Sequence, residues 1–386
     1  MKSSSYPFMR EALEERKRNN QFRRLVSSAT EGTYVSRNGR KLINFSSNDY
    51  LGLASHPEVK KASALFTEKY GTGSTASRLI TGTQSHHLHL ETKLAGAMGT
   101  GAALIFNNGF QANTSIIPAL ADKNTLILSD KLNHNSLLQG AILSRGKLQR
   151  YRHNDTSHLE SLLKKAAKNH ERILIVSESV FSMDGDRADI DALNSLSQAY
   201  GALLMIDEAH AIGVLGERGM GLSAGKSGID IVIGTFGKSF GSFGAFAACS
   251  EEMRDYLINF CAGFIYTTAL PPGVIGAVDK SLDMILDRND DRLRLIHNGA
   301  YLRRELKDMG FQTMGSDSQI IPILIGGEDD TLSLSGYLEE KGILAIAIRP
   351  PTVGINSSRI RITLSANHTQ QNIDHLLNAL KTWKER

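Results

Sequence analysis

Two stretches decide the fold: ALLMIDEAH at residues 202–210 and IVIGTFGKSFG at residues 231–241. Each opens with a near-continuous apolar run, the pattern of a strand buried on both faces of a sheet. Similar runs alternate with amphipathic helical patterns elsewhere, and this alternation predicts an α/β fold with a mainly parallel sheet of seven strands. The other strand-like runs are LINFSS (42–47), AALIFN (102–107), TLILSD (125–130), ILIVSES (173–179) and AFAACS (245–250), and the helical segments include 85–98, 156–168 and 189–199.

The double proline Pro271-Pro272 interrupts this alternation. The pattern that follows indicates a smaller α+β domain, with helices near 273–287 and 289–309, strands near 319–325 and 359–364, and a last helix near 369–384. We predict three parts: an N-terminal helical segment (1–45), a large domain that carries the functional site (46–272) and a small C-terminal domain (273–386).

Composition excludes several classes of protein. Of the 386 residues, 41% are apolar and 22% are charged, which is ordinary globular usage and argues against wholesale disorder. The two cysteines, Cys249 and Cys261, cannot form a disulfide framework, so we expect a reducing compartment, namely the cytoplasm. A net charge of +4 is too small to indicate a nucleic-acid partner. The chain has no apolar run of the roughly 18 residues that a membrane span needs, so no membrane partner is expected.

An acid and a lysine follow two of the predicted strands. Asp207 lies at the end of the strand predicted in ALLMIDEAH, and Lys238 lies just beyond the end of the strand predicted in IVIGTFGKSFG. The carboxyl ends of parallel strands meet at one edge of a sheet, which is where ligands bind in open α/β folds. Converging acid and lysine side chains are what pyridoxal phosphate requires: the lysine forms the Schiff base, and the carboxylate keeps the pyridine nitrogen protonated. The alternative interpretation is a buried Asp207–Lys238 ion pair.

Residues around this pair favour the cofactor. Glycines allow the backbone to approach a bulky ligand, hydroxyls suit a phosphate, and a strand-to-helix turn can present backbone amides to that phosphate. An imidazole that follows a strand could stack on the cofactor ring. The glycines are Gly234, Gly237 and Gly241, and the hydroxyls are those of Thr235 and Ser239. The strand-to-helix turn is Asn108-Gly109-Phe110, and the imidazole belongs to His134 in Leu132-Asn133-His134.

Three other motifs point to different functions, and each is incomplete. Gly71-x-Gly73-x-x-Ala76 resembles a dinucleotide fingerprint but follows a helical pattern rather than a strand. Asp207-Glu208-Ala209-His210 spells the DEAH box of some helicases, but Val232 stands where a phosphate loop needs its first glycine. The histidines of His86-His87-Leu88-His89 do not converge on a helix, so we expect no metal there.

Taken together, these features give the chain a sequence that resembles the α-oxoamine synthases, which are pyridoxal-phosphate enzymes of aspartate aminotransferase fold type I. The resemblance extends from Ala12 to the last helix. It rests on the runs NFSSNDYLGLASHP, NNGFQAN, NHNSL, SESVFSMDGD, IDEAHAIGVLGERGMG, TFGKSFG and YTTALPP. Within the family, the runs around Asp186, 347–353 and 359–364 are most similar to members that act in biotin synthesis, which join L-alanine to pimeloyl-CoA or a pimeloyl carrier protein.

The resemblance implies a role for individual residues. Lys238 matches the Schiff-base lysine, Asp207 the acid at the pyridine nitrogen, His210 the neighbour of the ring hydroxyl, and His134 the stacked histidine, so these four are the expected catalytic residues. Further cofactor contacts are implied at Gly109, Phe110, Ser182 and Thr235, and substrate contacts at Arg23, Asn48, Arg349, Thr352 and Arg361. Thr267 and Thr268 match hydroxyls that reach the phosphate of a neighbouring subunit, which implies a homodimer.

Alternatives within and outside the catalytic family stay open from sequence. The stretch STASRLITGTQ (74–84) carries Arg78 and Leu79, and its Gly82-Thr83-Gln84 is similar to a glycine-using acetyltransferase of the same family. A partner subunit that keeps the fold without the chemistry is the alternative of another class. The intact Asp207, His210 and Lys238 favour an enzyme.

Overall fold

The computed structural model describes residues 6–166 and 169–385. The description leaves out positions 1–5, 167–168 and 386. These positions belong to the predicted N-terminal segment, the predicted helical segment 156–168 and the predicted C-terminal domain, respectively. The described chain forms two compact units. The first contains residues up to Ser47, Met183–Gly185, and the chain from Ile296 onward; the second contains Asn48–Ser182 and Asp186–Leu295.

A seven-stranded sheet lies at the centre of the second unit. Its strand order is β4-β10-β9-β8-β7-β5-β6, and β10 alone runs against the others. The strands are β4 (Ala102–Phe106), β5 (Thr125–Asp130), β6 (Lys147–Tyr151), β7 (Arg172–Glu178), β8 (Leu203–Asp207), β9 (Ile231–Thr235) and β10 (Ala245–Cys249). The prediction of a mainly parallel seven-stranded sheet in a type I fold is confirmed.

One member of the predicted strand set is wrong. The run LINFSS does not belong to this sheet, because β3 (Arg40–Asn44) pairs in a separate sheet of the first unit. The seventh strand is instead β6, with the sequence KLQRY, which pairs only with β5 at the sheet edge. An edge strand does not need apolar residues on both faces, so β6 lacks the pattern used for the prediction.

Helices cover both faces of the sheet. In β5, Ile127 packs with α4 and α5 on one face, whereas Leu126 and Leu128 pack with α6 and α7 on the other. The helices of this unit are α2 (Pro57–Tyr70), α3 (Ser85–Met98), α4 (Gly109–Leu120), α5 (Asn135–Leu143), α6 (Thr156–Ala166), α7 (Ile190–Ala199), α8 (Glu251–Phe260), α9 (Ala262–Ile265) and α10 (Pro272–Asp287). This double burial explains the near-continuous apolar runs of the central strands.

The first unit combines two small sheets with helices. The strands β1 (Ala29–Glu31), β2 (Tyr34–Arg37), β3 and β12 (Ile343–Leu344) form one sheet, and β11 (Ile320–Gly326), β14 (Ser358–Thr363) and β13 (Ile346–Ile348) form the other. Its helices are α1 (Pro7–Arg18), α12 (Glu328–Glu340) and α13 (Gln370–Lys384), and the division between the units falls within α11 (Asn289–Asp308). Compact units need not coincide with domains that fold independently, so the predicted domain boundaries stay predictions.

Within residues 6–166 and 169–385, none of the helices combines the length with the apolar character that a membrane span needs.

Candidate active site

A cavity of about 270 Å³ opens at the carboxyl ends of the parallel strands in the second unit. β7, β8 and β9 end at Glu178, Asp207 and Thr235, so the fold brings these side chains to one edge of the sheet. The lining residues are Asn48, Asn108, Gly109, Phe110, Asn113, His134, Ser136, Glu178, Asp207, Ala209, His210, Thr235, Gly237, Lys238, Phe243 and Gly244. The cavity therefore gathers chemical groups from separate strand ends.

Asp207 is the anchored carboxylate of the cavity. It is 6% exposed, and its Oδ2 accepts a hydrogen bond of 2.7 Å from Nδ2 of Asn113. Its Oδ1 accepts a second bond of 2.9 Å from the backbone N–H of Ala209. Since both oxygens have donors, the carboxylate is fixed in orientation and its negative charge is stabilised in a buried place.

His134 is joined to Asp207 through a short relay of hydrogen bonds. Nδ2 of Asn113 also lies 2.9 Å from Oγ of Ser136, and that oxygen lies 2.8 Å from Nδ1 of His134. Burial lowers the pKa of His134 and the charge of Lys238 lowers it further, while Asp207 opposes both effects. Because Nδ1 accepts the backbone N–H of Ser136, the imidazole carries its proton on Nε2 when neutral.

His210 and Asn48 form the polar side of the cavity next to Tyr50. The hydroxyl of Tyr50 lies 2.5 Å from Nδ1 of His210 and donates to Oδ1 of Asn48 at 3.3 Å. Tyr50 is fully buried, so the His210 ring is held from behind by a rigid aromatic side chain. His210 is only 5% exposed, and it lines the cavity.

Lys238 is carried on a tight turn after β9. The N–H of Gly241 donates to the carbonyl of Lys238 at 2.8 Å, and the N–H of Ser242 donates to the carbonyl of Phe236 at 2.9 Å. Gly241 has a φ of +60°, and a Cβ there would lie 2.1 Å from the backbone nitrogen of Ala54. A side chain at 241 would therefore displace the turn that sets the position of Lys238.

The opposite end of the cavity has the features of a phosphate site. Asn108 caps α4 by accepting the N–H of Gln111 at 2.8 Å, and the first amides of a helix have no acceptor within the helix. Oγ1 of Thr235 is buried and has no hydrogen-bond partner within the part of the chain described here. A Cβ at Gly109 would lie 2.7 Å from Cγ2 of Thr235, so glycine keeps this cradle open. The residues present therefore fit the phosphate of pyridoxal phosphate.

Some expected site residues lie outside the cavity lining. Ser182 is buried in the same unit, and Thr267 accepts a 2.6 Å hydrogen bond from Nε2 of Gln111, while the carbonyl of Thr268 accepts one of 3.0 Å from Asn107. The hydroxyl of Ser239 was expected to face the phosphate, but this side chain is 1% exposed and packs against Gly213. Ser239 is not among the residues that line the cavity, and its Oγ has no hydrogen-bond partner within the described residues, so its role at the phosphate stays a prediction.

The expected substrate residues Arg23, Arg349, Thr352 and Arg361 belong to the first unit. Arg23 is exposed and donates from Nη2 to Oγ1 of Thr352 at 3.2 Å. Arg349 donates to the backbone carbonyl of Asn20. Arg361 is 8% exposed on β14, where Nη1 donates to Oγ1 of Thr363 at 2.8 Å.

Sequence reasoning assigned no role to four residues at this site: Asn113, Ser136 and Glu178, which line the cavity, and Tyr50, which contacts His210. Asn113 follows Gly109 by one helical turn, so helix periodicity could have placed both on one face of α4. Glu178 ends β7 in register with Asp207, but only the order of the strands shows that the two are neighbours. Ser136 and Tyr50 carry no comparable signal in the sequence.

Comparisons with known proteins agree with this geometry. Residues 40–380 match the family of class I and II aminotransferases. An 8-amino-7-oxononanoate synthase from Gluconacetobacter diazotrophicus is 44% identical over 383 residues, 97% of this chain and 96% of that protein. A protein from Desulfosudis oleivorans that carries the same name provisionally is 49% identical over 383 residues, 99% of each chain.

Solved structures give the same result. A serine palmitoyltransferase from Sphingomonas wittichii matches with a TM-score of 0.91 and 30% identity over 98% of this chain and 96% of that one. The 8-amino-7-oxononanoate synthase from Francisella tularensis matches with a TM-score of 0.78 and 29% identity over 89% of this chain and 98% of that one. The chain is accordingly a member of the α-oxoamine synthases, acyl-transferring enzymes that depend on pyridoxal phosphate.

Proposed function

We propose that this protein joins L-alanine to pimeloyl-CoA, or to a pimeloyl carrier protein, and releases 8-amino-7-oxononanoate in biotin biosynthesis. A carbon–carbon bond forms between the α-carbon of alanine and the thioester carbonyl, the carbon–sulfur bond breaks, and the alanine carboxylate leaves as CO2. The observation that carries the proposal is the meeting of Lys238, Asp207 and His134 in one cavity of a chain whose relatives bear this enzyme name.

Asp207 would hold the cofactor in its active protonation state. When bound, pyridoxal phosphate supplies an electron sink for the carbanion formed at the α-carbon of the amino acid. The sink works best with a protonated pyridine nitrogen, which requires an anion at that end of the cavity. Asp207 is suited to this task because Asn113 and Ala209 fix both of its oxygens.

Lys238 and His134 would move and guide protons above the ring. Lys238 would hold the cofactor covalently, and its Nζ would take the α-proton of the amino acid and later return it to the product. His134 presents a neutral imidazole with its proton on Nε2, which can donate to the thioester carbonyl as negative charge develops there. His210 would lie next to the cofactor's ring hydroxyl, and Gly109, Phe110, Ser182 and Thr235 would contact the cofactor elsewhere.

The family resemblance implies which groups would recognise the substrates. Arg361 offers a planar guanidinium, which suits a bidentate bond to the carboxylate of alanine. Arg23, Asn48, Arg349 and Thr352 would contact the substrates as well. In a cytoplasmic homodimer, Thr267 and Thr268 would reach the phosphate held by the partner subunit.

A substrate matrix tests the function. The holoenzyme is incubated with each pairing of glycine, alanine or serine with acetyl-, pimeloyl- or palmitoyl-CoA, and the products are identified by mass. We expect condensation with release of CO2 to be fastest for alanine and pimeloyl-CoA, and to be absent in Lys238→Ala. Fastest turnover of glycine with acetyl-CoA would contradict the proposal and indicate the acetyltransferase branch of the family. Absence of turnover in every pairing would indicate a partner subunit without catalytic activity.

A further inference from the structure

A second carboxyl group lies beside Asp207. β7 and β8 run parallel, and Glu178 is in register with Asp207 at their carboxyl ends, so the two side chains emerge on the same face of the sheet. Glu178 is 2% exposed and lines the cavity. The proposed chemistry uses one anion at this end of the cavity and assigns no task to the second carboxyl.

Glu178 is in direct contact with the loop that carries His134. Its Oε1 accepts the backbone N–H of His134 at 2.5 Å, and its own N–H donates to Oδ1 of Asn133 at 3.2 Å. Nδ2 of Asn133 in turn donates to the carbonyl of Val176 at 2.8 Å. These bonds tie residues 133 and 134 to the end of β7 and thereby set the place of the imidazole.

The charges around Glu178 disfavour a second anion. Burial raises the pKa of Glu178 well above its usual range, and the carboxylates of Asp207 and Asp130 raise it further, whereas Lys238 and the N–H of His134 act in the opposite direction. Two adjacent carboxyl groups that are both buried cannot both ionise without a large cost in free energy. Asp207 has two donors on its oxygens, so it is the better placed of the two to carry the charge.

Glu208 is a second buried glutamate, and its side chain accepts more hydrogen bonds than that of Glu178. Its carboxylate receives the hydroxyls of Ser179 and Ser223 at 2.6 Å and 2.5 Å and the N–H of Ser223 at 2.7 Å. Glu208 is fully buried and does not line the cavity. It therefore provides a matched control for Glu178.

We propose that Glu178 is a positioning residue that stands in the cavity as a neutral carboxylic acid. It holds the His134 loop by accepting the backbone N–H, and it leaves Asp207 as the one carboxylate directed at the pyridine nitrogen. As an acid it also offers an O–H donor, which a carboxylate lacks. The inference concerns the cofactor cavity and does not depend on which amino acid or acyl group is the substrate.

Infrared difference spectroscopy tests the protonation state without substrate. The spectrum of Glu178→Gln is subtracted from that of the wild-type holoenzyme at neutral pH. We expect the difference to contain the C=O stretch of a carboxylic acid. A difference that contains the paired stretches of an ionised carboxylate would overturn the proposal and leave the proposed function untouched.

The pH titration of the cofactor's absorbance gives an independent measure of charge. Glutamine is neutral, so Glu178→Gln should leave the midpoint within about 0.3 pH units of the wild type, whereas loss of a nearby negative charge would lower it by about one unit or more. The control Glu208→Gln should lower the melting temperature without moving this midpoint. A shift of about one unit in Glu178→Gln, with no shift in Glu208→Gln, would contradict the proposal.

The positioning role is tested by a pair of variants at the same place. Glutamine keeps an oxygen for the N–H of His134, whereas Glu178→Leu leaves that donor buried without a partner. We expect kcat/KM to fall about tenfold to hundredfold in Glu178→Leu and clearly less in Glu178→Gln. Equal losses in the two folded variants would show that the hydrogen bond does not position His134. If Glu178→Leu does not fold, the infrared and titration measurements on Glu178→Gln still decide the question.

Discussion

The two units hold their charged groups in different ways. In the second unit, Asp207 is buried and both of its oxygens have donors, so its geometry is fixed before any ligand binds. In the first unit, Arg23 is exposed and contacts the hydroxyl of Thr352, which is exposed as well. The position of Asp207 is thus fixed by the sheet, whereas the proposed substrate contact Arg23 has only an exposed hydroxyl as its support. Substrate preference can therefore change through residues such as Arg23 without disturbing the cofactor cavity.

The largest effect should come from removing the anion at the pyridine nitrogen. Asp207→Asn keeps the shape of the side chain but removes the charge that supports the electron sink. We expect kcat to fall by about 10²-fold to 10³-fold, the range seen when a preorganised electrostatic group is lost. Exchange of the alanine α-proton with deuterated solvent, followed by NMR, isolates this step. Exchange at the wild-type rate would show that Asp207 does not have this role.

A smaller and different effect should follow from a change in the first unit. Arg361→Ala should raise the KM for the amino acid by about 30-fold or more, because an arginine–carboxylate bond is lost. Cofactor affinity, measured by absorbance titration, should change little. Arg361→Lys serves as the matched control, since it keeps the charge and loses the bidentate geometry. An unchanged KM for alanine in Arg361→Ala would remove Arg361 from the substrate site.

The smallest effect concerns stability, and it involves an ion pair beneath the cavity loops. His153 bonds to Asp130 at 2.9 Å and to Asp186 at 2.8 Å, and Asp130 also accepts the N–H of Leu132 at 2.8 Å. Burial alone would lower the pKa of His153, but the two carboxylates raise it to about 10 from an ordinary value of 6.5. A raised pKa means that the ion pair stabilises the fold fully below pH 6.5 and loses this contribution as the pH rises to about 10.

The variant His153→Gln should therefore cost roughly 2 kcal/mol of unfolding free energy near pH 6 and progressively less towards pH 10. Denaturant unfolding of both proteins across this range measures the difference. A difference that does not depend on pH would show that His153 is not charged in the folded protein.

The buried central strands and the site residues at their ends could be predicted from the sequence. The central strands are buried on both faces, so their continuous apolar runs predicted them. The convergence of Asp207 and Lys238 was predicted because the carboxyl ends of parallel strands meet at one edge of the sheet. The edge strand β6 was not predicted, because a strand exposed on one side does not carry a continuous apolar run. The role of Glu178 was not predicted for another reason: it neighbours Asp207 through the order of the strands, which no local sequence pattern encodes. The roles of Arg23 and Arg361 rest on family resemblance alone, because neither has a local signature.

The proposed chemistry depends on a covalent bond between Lys238 and the cofactor, opposite Asp207. Borohydride reduction of the holoenzyme, followed by proteolysis and mass spectrometry, tests for this bond directly, with Lys238→Ala as the control. We expect a stable pyridoxyl group on the peptide that contains Lys238 and none on any peptide of the variant. A pyridoxyl group on another lysine, or no covalent label in the wild type, would contradict it.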